Sequence, residues 1–355
     1  MFDFDTLVGH VQQNCDISDA RHAGNYSMCT FLLKMREYYR WRKDIPLSSV
    51  IQRDDVGEWL VNHEQHWDVL DDSDYGGIPL NGACVDPFDT DAINQDLIDA
   101  GYVYSSGQGL FSKPHFFIGE LLRHQQHDGI DVYFSGKEYA RDLTAPPAML
   151  RDDKIFIRTQ SIRRFIWEKI EENRWRRLKE SPIIQSALCY GIDIRKKDLS
   201  HAKMESLLDQ MTETESHSAL QHEFGEVAAG KILTAQWEDL ISSIAGSKAE
   251  HIARAVRDHY ADALSTLPWL IKPENEAALH FYFGNFTGLR KLLFPNALEA
   301  YHQWLDTDNV SQLKSICLES AEHWLQQSQQ LLALHAKESS QATNNIMQHY
   351  QSLFE

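Results

Sequence analysis

A chain of 355 residues is too long for one small hydrophobic core, so two domains are the starting expectation. With 43% apolar residues, nine Trp, thirteen Tyr and sixteen Phe, it has enough material for burial to exclude intrinsic disorder over most of its length. The balance of 34 basic against 52 acidic side chains, net −18, makes nucleic acid and anionic membranes unfavourable partners, and no run reaches the ~18 consecutive apolar residues of a membrane span.

The opening "MFDFDTLVGHVQQNCD" has no basic region followed by a long apolar run, so it does not read as a signal peptide. Cys15, Cys29, Cys84, Cys189 and Cys317 are odd in number, widely spaced and without a CxxC, as expected of reduced thiols in a cytoplasm. A first helix is predicted from near Ser18, capped by Asp16 or Ser18, running to just before Pro46. A second covers about 49–70, and "DTDAINQDLIDAG" predicts a short helix stopped by Gly101. Next, "GYVYSSGQGLFSKPHFF" reads as a strand, a glycine turn and a second extended piece. "DVYFSG" and "KIFIRT" predict further strands, with "IGELLRHQQ" and "KEYARDLTAPPAML" lying between. The amphipathic "QSIRRFIWEKIEENRWRRLKE" is a long helix that ends before Pro182.

Beyond about residue 181 strand signals vanish. Helical periods cover roughly 200–231, 234–266, 273–293, 295–306 and 309–350, separated by short breaks. The expected architecture is an α+β domain with a small sheet over 1–180, then an all-α helical bundle over 181–355, predominantly helical as a whole.

The stretch "ETESHSALQHEFGE", Glu213–Glu226, carries the most chemistry. On a helical wheel His217, Leu220, Phe224, Val227 and Ala228 fall within about 60° of Glu213, so the Glu213/His217 pair is expected on an apolar stripe. A carboxylate there needs a cation or strong hydrogen bonds. Glu276 and His280 repeat the four-residue spacing in "ENEAALHFYFG". Imidazole plus carboxylate from neighbouring helices suits iron, manganese or zinc, so Glu213, His217, Glu276 and His280 are the expected ligands of a divalent ion, with non-haem iron or manganese favoured. Glu215, His222 and Glu226 look the other way and form the second choice, supported by Leu208 and Met211 on that face. The pair Glu319/His323 lies opposite its apolar neighbours and reads as solvated.

Elsewhere, His63 shares a face with Trp59, Trp67 and Leu70 and reads as a core histidine. Asp19, His22 and Cys29 succeed one another along one side of the first helix. A mid-helix thiol gains nothing from a helix dipole, so Asp16, Asp19, His22 and Tyr26 are read instead as a buried polar network. No Lys or Arg occurs from Asp54 to Phe111, whereas Arg151–Glu180 holds ten basic and six acidic residues. A basic Trp/Arg helix over 160–180 and an acidic 54–111 surface would serve a non-enzymatic interaction protein.

The segments "NCDISDARHAGNYSMCTFLLKMREYYRW", "KPHFFIGELL", "EYARDLTAPP" and "HEFGE" resemble a bacterial family built of domains of unknown function, over nearly the whole chain. That resemblance implies bacterial origin and a shared two-part architecture, and it transfers no catalytic residue. The order Glu215, His222, Glu276, then His302 and Asp306 resembles that of haem-oxygenase-like di-iron oxidases, with Asn309 in place of the last histidine. The leading expectation is a metal-binding helical-bundle enzyme or sensor acting on an unassigned small molecule or protein. The interaction module is the alternative.

Overall fold

The computed structural model describes residues 2–109, 112–196, 198–337 and 339–353, and these divide into two compact units, Met1–Trp167 and Glu168–Glu355.

The first unit is α+β. Helix α1 (Phe4–His22) is followed by α2 (Met28–Arg42) and α3 (Arg53–Leu70), then by a hairpin of β1 (Ile78–Leu80) and β2 (Ala83–Val85), and by α4 (Thr90–Leu97). Strands β3 (Tyr102–Gln108), β4 (Pro114–His127), β5 (Ile130–Arg141), β6 (Ala148–Arg151) and β7 (Lys154–Arg158) form one sheet in the order β3-β4-β5-β7-β6. Neighbours are antiparallel except β5 and β7, which run parallel. Alternation along the strands divides the sheet's side chains between two cores. Tyr104, Phe116 and Ile118 pack with Leu7 and Val11 of α1 and Ile93 and Leu97 of α4, while Val103, Phe117, Tyr133 and Phe156 form a second cluster.

Three sequence expectations are corrected here. The single helix expected from Ser18 is two helices, starting fourteen residues earlier and broken after His22. Asp16 and Ser18 are not caps. Ser18 Oγ donates to the Pro114 carbonyl at the start of β4, and Asp16 accepts from Gln12 and Tyr38, so both are buried mid-helix. The true cap of α2 is Ser27, whose hydroxyl accepts from Thr30 N. "IGELLRHQQ" and most of "KEYARDL" continue strands β4 and β5, and register shifts between Ile118 and Arg123 bend the pairing. The predicted turn between β3 and β4 includes Leu110 and Phe111, which lie outside the described residues.

Much of the polar network expected around the first helix is present. Lys113 Nζ donates to Asp19 at 2.5 Å, both almost wholly buried, and Asp19 also accepts from Leu143 N. His22 bonds to the Ser18 carbonyl instead of joining a Cys29–Asp19 relay, and Cys29 is exposed. His63 stacks on Trp59 at 4.6 Å, and burial pulls its pKa down to about 4, which makes it a neutral core histidine.

Helix α5 (Thr159–Trp175) contains the division between the units, which falls after Trp167. The second unit is all-α among the described residues. It comprises α6 (Pro182–Cys189), the 43-residue α7 (His201–Ser243), α8 (Lys248–Ala261), a π-helical turn (Asp262–Thr266), α9 (Leu267–Leu270), α10 (Glu276–Gly284), α11 (Gly288–Leu293), α12 (Pro295–Thr307), α13 (Ser311–Lys337) and α14 (Ala342–His349). Helix α7 runs through the expected break at Gly230 and kinks at Thr234, whose φ is 58°. The core joins Trp237 of α7, Tyr260 of α8, Phe283 of α10, Tyr301 of α12 and Trp324 of α13. No described helix is long and apolar enough to cross a membrane.

Candidate metal centre

The centre is built on His222-Glu223-Phe224-Gly225-Glu226 in the middle of α7. Gly225 has no side chain to hold the neighbouring helix away: a Cβ there would lie 2.1 Å from the Ala261 carbonyl oxygen. Ala261 ends α8, and the backbone then widens into the π-helical turn that starts with Asp262. Close approach at Gly225 brings His222, about one turn earlier, against Asp262, and Glu226, the next residue, against Arg257 of α8.

His222 Nδ1 lies 2.9 Å from Asp262 Oδ1. Asp262 Oδ2 accepts from the Tyr282 hydroxyl of α10 at 2.9 Å and from Arg290 Nη2 of α11, which also donates to Tyr282. His259, stacked on Trp324 at 4.4 Å, is held by burial near pKa 4; its Nε2 lies 3.1 Å from the Arg290 carbonyl, which can only accept, so the ring donates there and steadies that residue. Arg257 Nη2 contacts Glu226 Oε2 at 2.8 Å, while Glu226 Oε1 is buried with no hydrogen-bond partner among the described residues. A ring nitrogen of His222 and carboxylate oxygens of Glu226 and Asp258 lie within 4.8 Å of one another.

The charges are unevenly satisfied. Burial opposes ionisation of Asp262, but Arg290 and His222 outweigh it and hold the carboxyl well below its ordinary range. Burial likewise opposes a charge on His222, yet the hydrogen bond and attraction to Asp262 lift its pKa to about 10. For Glu223 and Asp258 the balance goes the other way: burial, with the neighbouring Glu226 carboxylate, outweighs the attraction of His222 and pushes them up to about 7 and about 6. The centre thus holds more buried carboxylate than its cations neutralise, a condition that a divalent ion relieves.

Of the expected ligands, Glu213 and His217 do contact each other at 3.3 Å, but their side chains are 68% and 44% exposed. On the apolar stripe assigned to them Leu220 is buried, but Phe224, Val227 and Ala228 are only half-buried. The buried meridian of α7 runs through Leu208, Met211, Glu215, Ala229, Leu233 and Leu240, the face of the second-choice residues. The reason is that α7 carries apolar residues on more than one side, and its partner helices cover the side holding Gly225. Glu213/His217 and Glu276/His280 therefore do not converge in one ligand group among the described residues. Within the second choice, His222 and Glu226 come together, while Glu215 is buried two turns away, its pKa raised well above normal by burial and its Oε1 unpartnered. Glu276 and His280 are brought together with Cys189. His302, Asp306, Glu319 and His323 are all exposed.

Sequence reasoning missed Asp258, Asp262, Tyr282 and Arg290. The first two are four apart in "DHYAD", the spacing that singled out the Glu/His pairs, so a search admitting Asp/Asp pairs would have found them.

Fold and centre together define a two-part protein: an α+β unit followed by a helical unit with a half-buried histidine–carboxylate cluster. The chain belongs to a family of unknown function (DUF6866), matching its N-terminal domain over residues 6–158 and its C-terminal domain over 163–352. No curated protein and no solved structure matches it.

Proposed function

We propose that the helical unit binds a divalent metal ion through His222, Glu226 and Asp258, with Glu223 beside them. The observation that carries the reading is the pinned histidine. Asp262, backed by Arg290 and Tyr282, takes Nδ1 and leaves Nε2 as the nitrogen for a cation, the carboxylate–histidine–metal arrangement of metalloprotein sites. An oxygen-rich set with one imidazole suits iron or manganese better than softer ions, and three protein ligands leave positions open for water or a substrate. That is the coordination an enzyme or a sensor needs. Binding displaces the proton on His222 and those retained on Glu223 and Asp258, so affinity rises with pH.

The test is anaerobic loading of the full chain with iron or manganese, followed by elemental analysis. His222→Ala and Asp258→Asn are expected to lose this ion, while His217→Ala and His323→Ala keep it. A wild type that binds neither metal, or a loss confined to His217→Ala, would reject the assignment. The docking alternative draws support from Trp175, 85% exposed at the end of α5 beside exposed Arg176 and Arg177. Against it, the basic residues of that helix are largely engaged: Arg164 donates to the Thr144 and Ala145 carbonyls, and Arg174 and Arg176 pair with Glu171 and Glu172.

A further inference from the structure

The geometry points to a second metal site, of a different chemical class, where α6 meets α10: a zinc site made by Cys189, Glu276 and His280. It is independent of the first centre and shares no residue with it.

The two helices are brought together by another side-chain-free contact. A Cβ on Gly284 would lie 2.3 Å from Ile183 Cδ1, so the end of α10 sits directly on the start of α6. Running antiparallel from that point, α6 delivers its last residue, Cys189, to the first turns of α10. There the Cys189 Sγ, a ring nitrogen of His280 and a carboxylate oxygen of Glu276 all lie within 4.8 Å of one another. His280 Nε2 faces Glu276 Oε1 at 3.6 Å.

The histidine is fixed and the other two ligands can adjust. The His280 side chain is buried, its ring stacked on Trp304 at 5.0 Å and 8°, and its Nδ1 is 2.9 Å from the Tyr301 hydroxyl. With Nδ1 engaged by that hydroxyl, the free ring nitrogen is Nε2, which is the one that faces Glu276. Cys189 and Glu276 are exposed and lie at helix ends. Tetrahedral ligation needs donor atoms about 3.5 Å apart, a contraction of at most about 1.3 Å from the 4.8 Å within which they lie, in reach of those two side chains.

The donor set also selects the ion. One thiolate, one imidazole and one carboxylate are softer than the first centre's donors and suit Zn2+, with the exposed side left for a fourth, exchangeable ligand. Without metal, burial and the neighbouring Glu276 carboxylate keep the Cys189 thiol protonated, and burial favours neutral His280. The pair is therefore not a preformed thiolate–imidazolium nucleophile. Zinc would take the thiol proton's place, releasing it to solvent.

Cobalt substitution tests this with a spectroscopic readout. The full chain is stripped with chelator and titrated with Co2+, and the thiolate-to-cobalt charge-transfer band is followed in the near ultraviolet. The expected result is one thiolate-bearing site whose band is bleached by Zn2+. Cys189→Ala should abolish the band while leaving iron or manganese loading of the first centre intact, and His222→Ala should do the reverse. Tyr301→Phe keeps the ring and removes only the hydrogen bond, so it should retain the fold and weaken Zn2+ binding about 10–100-fold. A wild type without the band, or a band that survives in Cys189→Ala, would overturn the assignment. Loss of the first centre alone would leave it standing.

Discussion

Gly225→Ala tests whether a helix–helix contact positions the candidate metal centre. Alanine is the better helix former by about 1 kcal/mol, so on an unencumbered helix the change should stabilise. Here the new methyl would sit 2.1 Å from the Ala261 carbonyl oxygen and 2.7 Å from its carbon, backbone atoms that move only if α8 and the π-helical turn move. Relief needs a displacement of about 1 Å, which stretches the 2.9 Å His222–Asp262 hydrogen bond to about 4 Å and breaks it. Overpacking costs about 1–3 kcal/mol, and a lost charge-assisted hydrogen bond about 1.5–3 kcal/mol. After the propensity gain the net is near 3 kcal/mol of destabilisation, or roughly 10 °C in melting temperature for a domain of this size. Gly230, five residues on in the same helix, supplies the control. A Cβ there meets only Arg257 Nη2, at 3.8 Å, so Gly230→Ala should stabilise by about 0.5–1 kcal/mol. Calorimetry of the two variants of the full chain should therefore give shifts of opposite sign, with metal binding weakened only in Gly225→Ala. If both melting temperatures rise, the close contact does not organise the centre.

Glu223, pushed up to about 7, keeps its proton in the fold while the unfolded chain ionises, so it draws stability down as pH rises from about 4.5 to 7. The advantage of metal-free Glu223→Gln over wild type in urea denaturation should grow across that window and then level off; a constant gap would refute it. His222, raised to about 10, acts differently: its contribution is complete below about pH 6.5 and disappears as pH climbs through 10, a loss that His222→Ala should not show. In the first unit, Asp19→Ala strands the buried Lys113 ammonium and should cost about 3–5 kcal/mol, much of it restored in Asp19→Ala/Lys113→Met; a double variant as unstable as the single one would deny the pair's coupling. Thiol titration of the unfolded, unreduced chain should count five thiols, since none of the cysteines is paired here. Brief proteolysis should cut the exposed 175–180 stretch and give fragments of about 20 kDa, half of 40.9 kDa, whereas cleavage only within 200–300 would place the linker elsewhere.

What the sequence determined by itself is whatever depends on local periodicity. Alternating apolar residues in "DVYFSG" and "KIFIRT" and the 3.6-residue pattern after residue 181 are properties of short segments, and they sufficed for an α+β part followed by an all-α part. Four-residue spacing is equally legible, and it singles out Glu213/His217 and Glu276/His280, with Glu215, His222 and Glu226 only as the second choice. Which face of α7 is covered was not legible, because that helix is apolar on more than one side and the decision belongs to its neighbours. Tertiary packing resolved it at Gly225, where the missing side chain admits the Ala261 carbonyl beside His222 and Glu226, while Glu213 and His217 remain exposed. Ser18 and Asp16 follow the same rule in the other unit: they have the composition of helix caps, but partners about 100 and 20 residues away, Pro114 and Tyr38, hold them inside the helix. Cys189 is one of five widely spaced thiols with no motif around it, and only the Gly284–Ile183 contact that carries it to His280 makes it a ligand candidate. Local patterns specify which elements form; the one face on which two helices can touch specifies which side chains meet, and so where a metal could be held.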